Sequence, residues 1–376
     1  MNILLIGEYS RLHNSLKEGL VKLGHRVVIF GFKDGFKDYP VDFAVYKKWD
    51  SGALKKIKVG IFRLTGFDIS SYLTYRQFLK YQNQLKGFDV VQLINENSLE
   101  CQPDFERKIL QFIFENNAKA FLLSCGDDYA NVKYAFAHPE MKSAVQPYLA
   151  QKIKDSDFEN VLKYRRGAFK DLHDFIYRNI SGVIASDLDY GPALLNHPKY
   201  VGLIPNPINV DSIIFQPLTV SGKVVIFLGI NEQNYYKKGS DYFEEALRII
   251  AQKYPGKVEI TTVRSIPYAQ YLALYDQAHI LLDQTFAIDQ GYNALEAMAK
   301  GKVVFTGAEP EFMARYQLAD KVNINAVPNV NTLVSELSHL IENPNEIVAI
   351  GQRARDFIER EHHYATIAQK YIDAWK

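Results

Sequence analysis

NILLIGEYSRLHNSLKEGLVKLGHRVVIF, residues 2–30, decides the fold class. Asn2 to Ile6 form an apolar run closed by Gly7, the pattern of a buried strand. Leu12, Leu16, Leu20 and Leu23 then recur at helical spacing, and Gly24 is a natural stop. RVVIF reads as a second buried strand. Strand, helix and strand within about 30 residues make a βαβ unit, in which the crossover helix forces the two strands to run parallel.

The same rhythm continues outward from this unit. FDVVQLI (88–94), KAFLLSC (119–125) and SGVIASD (181–187) are further strands, separated by polar helical stretches. Residues 203–218, LIPNPINVDSIIFQPL, hold three prolines and no clear period, so they read as a connector. KVVIFLG (223–229) then restarts the alternation, followed by a helix SDYFEEALRIIAQKY and the strands VEITTV, HILLD and KVVFT. From about Asn331 the pattern is helical throughout. The expected architecture is α/β, with two Rossmann-like halves and a helical tail.

Composition narrows the classes. A chain of 376 residues suits two ordinary domains, and 47% apolar with 23% charged residues is globular. A formal net charge of +1 gives no global field to recruit nucleic acid or membrane. Cys101 and Cys125 form no Cys-x-x-Cys pair, which excludes a disulfide framework and a cysteine-based zinc site and points to a reducing compartment. MNILLIGEYS has no basic leader region, and no apolar run approaches a spanning length of about 18 residues, so a cytoplasmic protein is expected. Neither opening βα turn carries Gly-x-Gly-x-x-Gly. The first offers only Gly7, and the second Gly229 and Gly239, which disfavours a nicotinamide or flavin dinucleotide.

Residues 287–306, AIDQGYNALEAMAKGKVVFT, carry the most chemistry. Gly291 opens a helix and Gly301 ends it, with Glu296 set among apolar neighbours. A buried carboxylate needs a partner, and sugar hydroxyls are suitable donors. The amides of Gly291, Tyr292 and Asn293 would lie at the positive end of the helix dipole, where diphosphate binds well. A pairing of Glu296 with a basic residue from elsewhere accounts for the spacing equally well.

This segment resembles the donor-site signature of retaining GT-B glycosyltransferases of the family-4 type, through Gly291, Glu296, Ala297, Met298, Ala299, Gly301 and Val304. IPNPINVD (204–211) is similar to that family's linker, Lys238-Gly239 to its phosphate-binding turn, and Gly24-His25 to the pair before its second strand. The resemblance implies two Rossmann-like domains facing across a cleft, with a final helix crossing back to the first. The implied bounds are 1–204 for an acceptor domain, 205–218 for a linker, 219–360 for a nucleotide-sugar domain and 361–376 for the returning helix. Departures are specific. Ile288 stands where the family has the first acid of its Glu-x7-Glu pair, and Ile230 where it has a phosphate-binding arginine. Asp283-Gln284, thirteen residues before Glu296 counting from Asp283, resembles a divergent branch with an Asp-Gln motif.

The resemblance implies donor contacts from Glu296, Lys238, Gly291, Tyr292, Asn293 and Gln284. Arg264, at the end of VEITTV, is a substitute for the missing arginine, with a plain surface role as the alternative. Lys238 could equally be a solvated loop lysine beside Lys237. SCGDDY (124–129) resembles a His-Gly-Ser-Asp turn of related transferases. That makes Asp128, with Asp283, a catalytic candidate, and places Asp127, Gly7 and His13 on the acceptor side of the cleft. An Asp-rich turn and a structural histidine are the bland readings. Cys125 reads as a small buried hydrophobe rather than a nucleophile.

The expected function is metal-independent transfer, with retention, of a sugar from a nucleotide-sugar donor to a saccharide or lipid-linked acceptor. No cofactor or nucleic-acid partner is expected. The triplets Asp155-Ser156-Asp157 and Asp187-Leu188-Asp189 both fall in the first half, away from the donor segment in sequence. An inactive sugar-binding or scaffolding relative, or a sugar-nucleotide epimerase of the same architecture, remains the alternative. Residues 47–63 carry six cations against Asp50, with Trp49, Ile57, Ile61 and Phe62 between them. They read as a solvated surface or as a contact with the inner face of a membrane.

Overall fold

β1 (Asn2–Ile6) and β2 (Arg26–Phe32) pair in parallel, Ile3 beside Val27 and Ile6 beside Phe30, with α1 (Leu12–Lys22) crossing between them. The computed structural model describes residues 1–33 and 39–376. Ile3, Leu4, Leu5 and Ile6 are all fully buried. Both faces of this strand are covered, which is why its sequence is a continuous apolar run rather than an alternation. Ile3 and Leu5 pack toward α1, while Leu4 and Ile6 enter the core on the opposite face.

The first sheet is completed by β3 (Phe43–Val45), β4 (Val90–Leu93), β5 (Lys119–Ser124), β6 (Gly182–Ala185) and β7 (Tyr200–Leu203), all parallel, in the order β3-β2-β1-β4-β5-β6-β7. Its helices after α1 are α2 (Gly52–Thr65), α3 (Ile69–Tyr81), α4 (Pro103–Glu115), α5 (Tyr129–Ala137), α6 (Gln146–Leu149), α7 (Asp155–Leu162) and α8 (Gly167–Asn179). The second sheet contains β8 (Val224–Ile230), β9 (Val258–Arg264), β10 (Ile280–Leu282), β11 (Val303–Thr306) and β12 (Ile324–Asn325), in the order β12-β11-β10-β8-β9. Around it lie α9 (Ser240–Lys253), α10 (Tyr268–Gln277), α11 (Tyr292–Ala299), α12 (Pro310–Arg315), α13 (Val330–Glu342) and α14 (Pro344–Glu361).

α15 (Tyr364–Trp375) leaves the second sheet and packs on α1 of the first. Gly19 permits the approach, because a Cβ there would lie 2.8 Å from Ala368 Cβ and would overlap the Tyr364 carbonyl. Trp375 Nε1 donates to the fully buried Gln92 Oε1 at 3.0 Å, and Lys119 Nζ donates to the Lys376 carbonyl at 2.7 Å. The two passages between the sheets touch each other: Ile208 N donates to His362 O at 2.7 Å, and Tyr364 N to Ile208 O at 3.1 Å.

α15 docks through its 364-367-368-371-372-375 stripe, with Ile367 and Tyr371 buried and Ala365 half-buried beside it. Two details differ from the sequence reading. Leu203, read as connector, ends β7. The stretch 47–63, read only as basic, supplies most of α2, which runs from Gly52 to Thr65. No helix of the described residues is long and apolar enough to cross a membrane.

Candidate functional site in the cleft

In the second sheet the chain runs from β8 out to β9 and then returns to β10 on the other side of β8, opening a crevice at the carboxyl ends of β8 and β10, where ligands bind in such sheets. Lys238 follows β8 and Asp283 follows β10. Their side chains meet there, Nζ to Oδ1 at 2.9 Å. Asp283 is buried, so an ionised carboxylate needs this cation and the further donors around it. Thr306 Oγ1 donates to Oδ2 at 3.4 Å, and Asn293 Nδ2 to Oδ1 at 3.5 Å. Gly239 has φ 68° and seats against Thr285, whose amide donates to the Lys238 carbonyl at 3.0 Å. The lysine turn is thus fixed to the end of β10.

α11 begins in the same crevice. Gly291 is extended ahead of the first turn, and a Cβ on it would stand 3.5 Å from Gln284 Nε2 and 4.0 Å from Asp283 Oδ2. Asp283, Gln284, Gly291, Asn293 and Lys238 therefore converge on one helix start. Glu296 is half-buried one turn further on, within electrostatic reach of Arg11, Tyr275 and Tyr292. Burial first, and the Glu296 charge second, hold the Tyr292 hydroxyl well above its usual pKa. A cavity of about 470 Å³ opens beside this cluster, lined by Lys238, Asp283 and Asn293, by the apolar Ile230 and by Tyr271, with Ser10 contributed by the first domain. Glu296 is not among the residues lining it.

The facing wall is the β1–α1 turn. Gly7 has φ 85° and packs against Ile94, and its carbonyl lies 2.7 Å from His13 Nδ1. Burial pushes the His13 pKa down to about 4, so the ring is a neutral structural brace for the turn. Ser10 and Arg11 take the left-handed conformation, at φ 52° and 76°, which places backbone strain at the cleft rim.

Two candidate residues are engaged elsewhere. Asp128 is fully buried and caps α5, accepting from Asn131 N at 2.7 Å and from Ser124 Oγ at 2.8 Å. Burial and the Glu96 charge raise its pKa, and its oxygens are engaged in this local cap rather than turned into the cavity beside Lys238. Arg264 is engaged by Glu232 at 2.9 Å and by Glu244, on the exposed side of β9, and is not among the residues lining the cavity beside Lys238.

Contacts across the cleft are numerous, and little in the sequence pattern marks them. Asp127 Oδ2 meets Lys237 Nζ at 3.1 Å. The Tyr292 hydroxyl lies 2.5 Å from Ser15 Oγ and donates to the Pro207 carbonyl at 2.9 Å. Asp189 accepts from Ile288 N at 2.9 Å and Asp289 N at 3.2 Å, while Leu188 N donates to Asp289 Oδ2 at 3.3 Å. The Asp187-Leu188-Asp189 triplet, distant in sequence, thus abuts the donor segment. Lys142 Nζ reaches Glu309 and the Ala326 carbonyl, each at 2.7 Å. A second cavity of about 950 Å³ lies between α2 and the body of the first domain. Lys47, Arg63, Glu100 and Arg166 line it together with Gln233, which also lines the smaller cavity.

Residues 235–373 match a family model described as glycosyl transferase-like. No curated protein matches the chain. Among solved structures, sucrose-phosphate synthase from Thermosynechococcus elongatus is similar at 15% identity, covering 100% of this chain and 98% of that one, with a TM-score of 0.62. The HepE protein of Anabaena, solved with UDP and glucose, aligns at 12% identity over 99% and 98% of the two chains, with a TM-score of 0.56. S. aureus TarM, solved with UDP, fondaparinux and a GlcNAc-glycerol, aligns at 13% over 81% and 59%, with a TM-score of 0.53. These likenesses establish a GT-B fold, with two Rossmann-like domains facing across a cleft.

Proposed function

We propose that this protein is a glycosyltransferase that moves a sugar from a nucleotide-sugar donor to a saccharide or lipid-linked acceptor. The observation that carries the reading is the convergence of Lys238, Asp283 and the α11 start on one cavity in the β8–β10 crevice. A cation and free helix amides suit a diphosphate, and the apolar and aromatic side chains in the cavity lining suit a nucleoside. Glu296 is assigned to the donor ribose. The glycosyl transferase-like match over the same domain supports this, as do the UDP complexes of HepE and TarM.

In the proposed reaction the bond from the anomeric carbon to the diphosphate oxygen breaks as the acceptor hydroxyl attacks the same face, giving retention. The acceptor proton passes to the departing diphosphate, whose charge Lys238 and the α11 amides stabilise without a metal ion. The 950 Å³ cavity, which shares the lining residue Gln233 with the donor cavity, is assigned to the acceptor. A second reading, a sugar-nucleotide binder without transfer activity, is favoured by Ile230, which lines the donor cavity where the resembling family has an arginine. A panel of nucleotide sugars separates the two. Release of free nucleoside diphosphate from one donor supports transfer, and tight binding of a donor with no turnover supports the binder.

A further inference from the structure

α2 is a 14-residue helix with no buried residue. Leu54, Ile57, Ile61 and Leu64 recur at spacings of three, four and three, which sets them in one stripe. Leu54 is 47% exposed, Ile57 50% and Leu64 88%, and Ile61 is half-buried. Such a stripe normally faces a core, yet here it faces outward, while Val59 and Phe62 on another side face the 950 Å³ cavity. The charges on α2 itself have one sign. α2 contains Lys55, Lys56, Lys58 and Arg63 and no carboxylate. Among the described residues Lys58 is paired with Asp50 at 2.9 Å, while Lys55, Lys56 and Arg63 are exposed and in no ion pair. Tyr46 and Phe67, exposed aromatics, flank the helix.

We infer that α2 is a docking surface for an anionic lipid bilayer. The apolar stripe enters the interface, while the lysines and arginine lie along the headgroups, the arrangement of an interfacial amphipathic helix. Charge selects this occupant over a second copy of the chain. Two α2 stripes packed together would bring unpaired cations of like sign into one interface, whereas anionic headgroups neutralise them. Docking would set the mouth of the 950 Å³ cavity, of which Lys55 and Arg63 are part, against the membrane surface. The inference rests on α2 alone and holds whether or not the chain transfers sugar.

The test is sedimentation of the full chain with phosphatidylcholine vesicles, with and without phosphatidylglycerol. The chain should sediment with the anionic vesicles and not with the neutral ones, and added salt should release it. A Lys55→Gln, Lys56→Gln, Arg63→Gln variant should bind anionic vesicles at least about tenfold more weakly, from the worth of a cation near an anionic surface. Leu54→Ser with Leu64→Ser should also release the chain from vesicles, while leaving nucleoside diphosphate binding and the urea unfolding midpoint unchanged, since neither residue is buried or lines a cavity. Failure to bind anionic vesicles, or equal binding by the triple-glutamine variant, overturns the inference. So does a wild-type dimer that the leucine variant turns into a monomer with no change in vesicle binding, because the stripe would then be a self-association face. None of these outcomes bears on nucleotide-sugar turnover, so failure of the transferase proposal is read separately.

Discussion

Asp283 and Lys238 support one another in the crevice, so their substitution effects divide into stability and binding. Lys238→Ala leaves a buried carboxylate with, among the described residues, Asn293 and Thr306 as side-chain donors, at a cost of about 1–3 kcal/mol. Adding Asp283→Asn to it should restore most of that stability, measured by urea unfolding, without restoring ligand affinity. In calorimetry, Lys238→Ala should weaken nucleoside diphosphate binding more than nucleoside binding, and equal losses would remove the phosphate contact from the proposal. Glu296→Ala should weaken nucleotide binding in a chain that still folds, and unchanged affinity would end the ribose assignment. The neighbourhood of these residues was legible because strand ends and helix starts are punctuated in sequence by Gly239 and Gly291. The partners of Arg264 were not legible, because Glu232 and Glu244 reach it from a loop and from a different helix. The capping role of Asp128 was hidden for a related reason, since an aspartate after a strand has the same signature whether it caps a helix or faces a cleft.

At the scale of elements, α15 and α1 form the tightest test. Gly19→Ala inserts a methyl group between two helices already in contact and should destabilise the chain by about 1–3 kcal/mol. Trp375→Ala removes a buried indole and strands the Gln92 amide oxygen, so a loss of about 3–5 kcal/mol is expected in thermal or urea unfolding. A Trp375→Ala variant as stable as the wild type would mean that α15 is not anchored on the first sheet. The α/β class, the βαβ opening and the returning helix were readable from apolar periodicity and the order of motifs. The edge strands β3 and β12, three and two residues long, were not, because so short a segment carries no period.

Over the whole molecule, the cleft is bridged by groups that titrate. Burial raises the Asp289 carboxyl to about pH 6 against an ordinary value of 3.8. A carboxyl whose folded pKa exceeds its unfolded one binds its proton more readily when folded. Its contribution is therefore full below the unfolded value and is lost as pH rises through the folded one. Stability should fall across pH 4 to 6 from this group, and the difference in slope between wild type and Asp289→Asn measures it. Parallel slopes would show that Asp289 does not titrate in this window. The double crossing at Ile208 and His362 also fixes an order of assembly on the ribosome. The strands of the first sheet are translated before any of the second domain, yet the helix that covers Gln92 and Phe121 is translated after all of it. The second domain is in effect an insertion within the first. The N-terminal half must wait with its apolar face against α1 incomplete while the inserted domain folds, so a stalled nascent chain should remain sensitive to protease in its first 200 or so residues until α15 emerges.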